Sequence, residues 1–367
     1  MTTLTSPAPK ASGRRRPRPN ALAPLAWVVW RQHRTALTWL GALLLTLGTV
    51  MLVAGIKLHL LYAAEIRHGC FGSSAWSAVC RPLQTPFTVG WTQNYWNLVI
   101  LAMQALPVII GAFLGAPLLA REYTAGTVRF TWTQGIGRTR WATATLGLLG
   151  VAVAVVAGLL GLLTQWSVQP IAAQTTREAD RWEPGFFDST VLTAATAALL
   201  AFAIGVLAGA LIRRVVAAMA VTAVGAITAA GLTYNRLHYW LVGRGARLAR
   251  DLAFGASPNV GIPSSGVIDI HEPAGPGMPG PAGAWLDQGW YTDAHGHRLS
   301  GGAVEHLLDT HQGTPLAWLT RVHDTFWVTY QPGGRYWVFQ FVVAGGTLLI
   351  ALLLGAATIA LIRYRRT

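Results

Sequence analysis

Charge is absent from six long stretches of this chain. None of Thr35–Ile56, Pro82–Ala120, Trp141–Thr176, Ser189–Ile212, Val215–Asn235 and Tyr336–Ile362 contains an Asp, Glu, Lys, Arg or His. A helix rises about 1.5 Å per residue, so about 20 apolar residues cross the hydrocarbon core of a bilayer. Each stretch is long enough for one crossing. The pattern predicts an all-α integral membrane protein with six transmembrane helices. Only 11% of the residues are charged, against about 25% in a soluble domain.

With six crossings both termini lie on one side, and the basic residues say which. The side holding the termini and the two even-numbered loops carries sixteen Lys and Arg residues against one acid, Glu122. The other side carries twelve basic and thirteen acidic residues. Short basic loops stay in the cytoplasm, so both termini are expected there. The net charge of +14 is then a topology signal and not a sign of nucleic-acid binding. The Arg14–Arg18 cluster reads as a disordered cytoplasmic tail near anionic lipid. A secretory or twin-arginine signal fits less well, because the apolar run that follows exceeds the about 7–15 residues of a signal core.

The expected order along the chain is a disordered tail (1–20), an interfacial helix (21–34) with Trp27 and Trp30 at headgroup depth, and five spans within 35–233. Span 1 covers about 35–56, span 2 about 95–120 with a kink at Pro107, and span 3 about 142–166. Spans 4 (189–212) and 5 (215–233) are joined only by Arg213-Arg214. An external region (234–335) follows, then span 6 and a basic tail (336–367). Both cysteines, Cys70 and Cys80, fall in the first external loop, where thiols tend to pair. A disulfide there should stabilise by about 2–3 kcal/mol in the chain-entropy model. Gly111-x-x-x-Gly115, Gly205-x-x-x-Gly209 and Gly345, Gly346 and Gly355 have the spacing of close helix contacts, read as packing within one bundle. Residues 273–283 (PAGPGMPGPAG) read as a linker inside the external region, ahead of an aromatic part with Trp285, Trp290, Trp318, Trp327 and Tyr330.

Several chemistries are absent. The charge-free stretches hold no titratable carrier of the kind ion-coupled transporters place at mid-membrane. The two lysines, Lys10 and Lys57, follow no phosphate-binding loop, so the chain has no Walker motif and is not expected to be an enzyme that hydrolyses ATP. No GxSxG or HExxH motif is present, and no cofactor is implied. Asp293, His295 and His297, with His306 and His311 downstream, form a His-x-His cluster, but without fixed ligand spacing it reads as a solvated loop and not a metal site.

The informative segment is 121–141, REYTAGTVRFTWTQGIGRTRW, the longest cytoplasmic connection between spans. It begins with the sole cytoplasmic acid, and Gly126-Thr127 reads as a turn. On the residues alone it is either a docking element or a loop that only sets topology. The pattern Arg-Glu-x-x-x-Gly-Thr after span 2 resembles the cytoplasmic segment of ABC-2-type transporter permeases. Trp30–Arg34 (WRQHR), Arg236–Trp240 (RLHYW) and Tyr330–Gln340 (YQPGGRYWVFQ) resemble an actinobacterial branch of that family.

The resemblance implies a permease subunit of an ATP-driven exporter in the cell membrane. It would work with a separate ATP-binding cassette subunit and a second permease chain. Glu122, Gly126, Thr127, Gln134 and Arg138 would form the coupling element, with Trp141 closing it. Asn97, Gln104 and Thr196 are candidates for the path. Two other classes compete: a membrane-anchored sensor or scaffold acting through 234–335, and a lipid-acting enzyme using Asp293, His295 and His297. The charge split makes a direct prediction. Single cysteines placed at Thr133 or Thr367 should resist an impermeant thiol reagent in intact cells, and one at Ser300 should react. Labelling of position 133 from outside overturns the six-span arrangement.

Overall fold

The computed structural model describes residues 22–70, 78–88, 90–124, 138–174, 182, 184–233, 247–251, 265, 267–273, 285–293, 295–303, 306 and 325–364. Among these, six helices are long and apolar enough to cross a membrane: Leu37–Arg67, Asn94–Glu122, Thr139–Ile171, Val191–Ile212, Val215–Leu232 and Gly333–Tyr364. The expected tail (1–20), most of the 273–283 linker and the middle of the 121–141 segment lie outside the described residues.

Helix α1 (Leu22–Arg67) is one unbroken helix. The separate interfacial helix expected over 21–34 is instead its first turns, and helix replaces the start of the external loop expected at residue 57. The cause is local. No proline follows Pro24 within the helix, and in hydrocarbon a peptide group has no partner but its own ladder. Lys57 is exposed, so its stem can lie along the helix while the ammonium reaches water. The absence of titratable groups therefore holds for the charge-free stretch but not for the whole helix, whose C-terminal end carries Lys57, His59, Glu65 and Arg67.

Beyond α1, the sulfurs of Cys70 and Cys80 are 2.00 Å apart, with Cα atoms at 5.3 Å. This closes the chain onto α2 (Arg81–Thr88). Span 2 is built in three pieces: α3 (Trp91–Ile110), a π-turn (Gly111–Gly115) and α4 (Ala116–Thr124). Pro107 supplies no N–H to the ladder, and one turn later the bonding pattern widens to the π form. The amide of Gly111 there reaches the carbonyls of both Pro107 and Val108. Span 3 is α5 (Arg138–Gln174), which continues past Trp166 and through Pro170. After the short α6 (Pro184–Phe187), spans 4 and 5 are α7 (Val191–Ile212) and α8 (Val215–Leu232). The turn between them places Arg213 at φ 59°, the left-handed geometry that ends many helices.

The region between spans 5 and 6 adds what an all-helical reading does not contain, a four-stranded antiparallel sheet. Its strands are β1 (Arg247–Asp251), β2 (Val267–Pro273), β3 (Trp285–Thr292) and β4 (Thr325–Gln331), in the order β1-β4-β3-β2. Leu286, Tyr291 and Val328 are buried, while Trp290 lies directly opposite Trp327. β4 leads through Pro332 and a 3-10 turn (Gly333–Arg335) straight into α9 (Tyr336–Tyr364), which is span 6.

The helices are arranged around α7, which packs on α9, α5, α8 and the three pieces of span 2. Its sequence, VLTAATAALLAFAIGVLAGALI, explains why. Lipid tails are as apolar as leucine, so close packing of small residues, and not burial of large ones, brings helices together in a membrane. A side chain at Gly111 would stand 2.5 Å from the carbonyl oxygen of Ala201, and one at Gly115 would stand 2.7 Å from that of Phe202. One at Gly205 would strike the Gly111 carbonyl, and one at Gly209 the Ala116 carbonyl. The two GxxxG patterns are thus the two halves of one seam within the bundle. Gly345, Gly346 and Gly355 differ: nothing lies within 4 Å of where their side chains would begin, so they make no such contact in this chain. Gly205→Val should force α7 from the π-turn and destabilise the protein by about 1–3 kcal/mol, the scale of overpacking. Gly355→Ala should be neutral. Thermal unfolding of the two purified variants checks the contrast.

Candidate coupling site and the polar junctions of the bundle

The 121–141 segment begins where the small-residue seam ends. Ala116 and Ala120 of α4 are fully buried against Ala208 and Ala218, with Ile212, Val215 and Met219 packed around them. The base of the segment and the Arg213-Arg214 turn therefore sit at the same end of the bundle. Glu122 lies on the last turn of α4 and is half-buried. Arg138 opens α5. Gly126, Thr127 and Gln134 lie outside the described residues. Trp141, at the closing end, is buried within the main core cluster that also holds Leu118, Leu119 and Ile362.

The three residues proposed for a path do not come together. Asn97 and Gln104 are exposed on α3, seven residues apart and hence on one face. Thr196 is on α7, and its hydroxyl donates to the carbonyls of Leu192 at 2.9 Å and Thr193 at 3.2 Å. That is backbone bonding within one helix.

Two polar junctions carry more connectivity. At the start of α9, Gln340 is fully buried. Its side-chain oxygen accepts from Thr190 Oγ1 at 2.8 Å, and its amide donates to the Phe187 carbonyl at 3.0 Å and to the Tyr336 hydroxyl at 3.1 Å. Thr193 Oγ1 also donates to the Phe187 carbonyl, at 2.8 Å. Around this network Trp182, Phe187, Trp285, Tyr336, Phe339 and Val343 form an aromatic cluster. It joins β3, the 3–4 connection and span 6. In the second junction the Tyr95 hydroxyl donates to Ser167 Oγ at 2.8 Å. Beside it the His59 ring stacks on Trp166 at 4.8 Å, with Nε2 3.0 Å from the Trp166 carbonyl oxygen. These contacts tie spans 1, 2 and 3. Sequence reading passed over them because Gln340, Thr190 and Ser167 carry no charge. The available signal was a lone glutamine inside an aromatic run, YWVFQF.

The His-x-His segment forms a turn. The Asp293 carboxylate accepts the backbone N–H groups of His295 at 2.9 Å and His297 at 2.8 Å, with His297 Nδ1 3.4 Å away. The His297 backbone amide is the main cause that holds the Asp293 carboxyl below its usual range. His306 is exposed, and His311 lies outside the described residues. Among the described residues no three His, Cys, Asp or Glu side chains converge on a metal-sized point.

Asp188, between α6 and α7, is the acid whose environment has the largest consequence. Burial pushes its carboxyl from the usual 3.8 up to about 7. Between those values the native state keeps a proton that the unfolded chain has released. Stability must therefore fall as pH rises through that window. Asp188→Asn removes the titration, so the variant should gain on the wild type between pH 5 and pH 8. Thermal unfolding at both values measures this, and parallel profiles would remove the assignment.

A family model described as ABC-2 membrane transporter related matches residues 28–237. The match takes in spans 1 to 5 and the whole 121–141 segment, and stops before the sheet. No curated protein and no solved structure matches the chain. The match spans more than half of the sequence and takes in five of the six helices able to cross a membrane; the chain belongs to the ABC-2 membrane transporter related family, as a membrane transport component.

Proposed function

We propose that the chain is the membrane-spanning permease subunit of an ATP-driven exporter, acting with a separate ATP-binding cassette subunit and a second permease chain. The observation that supports this reading is the packing of α4, from which the 121–141 segment leaves, against α7 and α8. The segment springs from α4, and α4 is locked to α7 and α8 by backbone-close contacts. A push on the segment is thereby handed to spans 2, 4 and 5 together. Glu122, Gly126, Thr127, Gln134 and Arg138 supply the ATPase contact in this reading. Asn97 and Gln104 face away from the bundle core, as they would if the path runs between two permease chains. Thr196 contributes there only as a small wall residue.

The rival reading, a sensor or scaffold acting through the external sheet, needs no ATPase. Co-purification of an ATP-binding subunit with the full chain separates the two. Glu122→Ala should leave membrane insertion intact, because spans 2 and 3 are apolar enough to insert alone. It should weaken ATPase association or substrate-stimulated hydrolysis about tenfold, the scale of one charge-assisted contact of about 1.5 kcal/mol. Wild-type values for the variant in the reconstituted complex would reduce the segment to a topology loop.

A further inference from the structure

Helix α2 is fastened along one face and bare along the other. On the inner face Phe87 is buried in the main core cluster, and Gln84 Nε2 donates to the Cys70 carbonyl at 2.8 Å. The Cys70–Cys80 disulfide fixes the start of α2 to the end of α1, and the Thr92 hydroxyl donates to the Pro86 carbonyl. Arg81, Pro82 and Thr85, at positions i, i+1 and i+4, share the opposite face and are exposed. Beyond them stands Trp91, 41% exposed, with its ring set against Tyr95 at 6.2 Å. An open groove of about 500 Å³ runs here, and its walls include Arg81, Pro82, Pro86 and Trp91.

The walls are mostly apolar. Proline rings and an indole favour a hydrocarbon body over a polar one. Set into them is one cation. Among the described residues the Arg81 guanidinium makes no hydrogen bond or ion pair. No acid lines the groove. Glu65, the acid in the last turn of α1, lies on the inward seam of that helix with Met51 and Leu58, at seven-residue spacing, and all three are fully buried. The groove therefore offers a positive charge that the chain itself does not balance. A guanidinium presents forked N–H donors that match the oxygens of a phosphate.

The position of the groove decides what kind of phosphate. Span 1 ends at Arg67 and span 2 begins at Asn94, three residues after Trp91. This is the level at which hydrocarbon gives way to headgroups, where tryptophan is favoured. Trp91, Leu98 and Leu101 share one face of α3, and the two leucines are 53% and 65% exposed. An apolar stripe thus leads from the groove down the span.

We propose that this groove seats an anionic phospholipid. Its phosphate rests on Arg81, its glycerol region lies against Pro82, Pro86 and Trp91, and one acyl chain follows Leu98 and Leu101. A zwitterionic headgroup would bring a cation of its own, and the groove has no carboxylate to receive it. The site lies at the end of span 2 opposite the 121–141 segment, so it does not depend on the coupling assignment.

The test uses the full-length chain in detergent, titrated with phosphatidylglycerol or phosphatidylcholine of identical acyl chains, with bound lipid counted by native mass spectrometry. The wild type should bind one phosphatidylglycerol about tenfold more tightly than phosphatidylcholine, the scale of one charge-assisted contact. Arg81→Gln should remove that preference and leave phosphatidylcholine binding unchanged. Trp91→Ala should weaken both lipids. Arg298→Gln, which removes an exposed charge on the sheet, should keep the wild-type preference. A wild type without preference, an Arg81→Gln variant that retains it, or a Trp91→Ala variant that binds both lipids as before overturns the proposal. Loss of the preference in Arg298→Gln assigns it to overall charge and overturns it equally. Displacement of the wild type's bound lipid by glycerol phosphate assigns the groove to soluble phosphate esters, and that too overturns it.

Discussion

The bundle depends on the backbone-to-backbone approach of span 2 and α7 at Gly111, Gly115, Gly205 and Gly209. A second close approach, of Gly161 on α5 to the Thr190 backbone, reinforces it at the other end of α7. The approach of span 2 needs the small side chains of α7, and it coincides with the π-turn after Pro107. With α7 fixed against span 2, the remaining helices are placed by what they can reach on its other sides: α5, α8 and α9. The helices at the rim, α1 and α8, are the least covered within one chain and leave broad apolar faces to the bilayer or to another subunit.

The division of labour along the axis follows from this. Toward the end from which the 121–141 segment leaves, the packing is alanine on alanine and close. Toward the other end it changes character: buried amide and hydroxyl groups form a network sheathed in aromatic rings. A polar network inside an apolar surround favours a single arrangement, because any other leaves a group unsatisfied. One end is therefore held by close packing of small residues, and the other by hydrogen bonds that hold register. The family-matched part and the sheet that lies beyond it meet at this second kind of junction, where Trp182 and Phe187 share a cluster with Trp285.

The membrane architecture was legible in the sequence because hydrocarbon imposes one rule on every residue of a span, and six interruptions of charge reveal it. The GxxxG spacings were legible for the same reason: a missing side chain is visible without knowing the partner. The extent of α1 was not, since lysine can sit on a helix while its charge escapes to water. The sheet was missed because its strands are short, mixed in polarity and separated by glycine- and proline-rich stretches. Gln340, Thr190, Tyr95 and Ser167 were illegible because a hydroxyl or amide becomes informative only when burial and a partner are known. Glu65 was counted as a loop acid, for only the fold shows that it shares a seam with Met51 and Leu58.

One junction has a mechanical consequence. Strand β4 passes into span 6 with only Pro332 and a single 3-10 turn between them, and Gln331 and Arg335 clasp across that turn at 3.1 Å. Proline fixes its own backbone angle, and the Gly333-Gly334 pair that follows is held by the 3-10 turn and by the Gln331–Arg335 contact across it. Span 6, at 29 residues, is about 43 Å long. Strand and helix together make a stiff spar, fulcrumed where Gln340 is gripped. A tilt of α9 would therefore carry the sheet with it, and a load placed on the sheet would pass along the span to its far end.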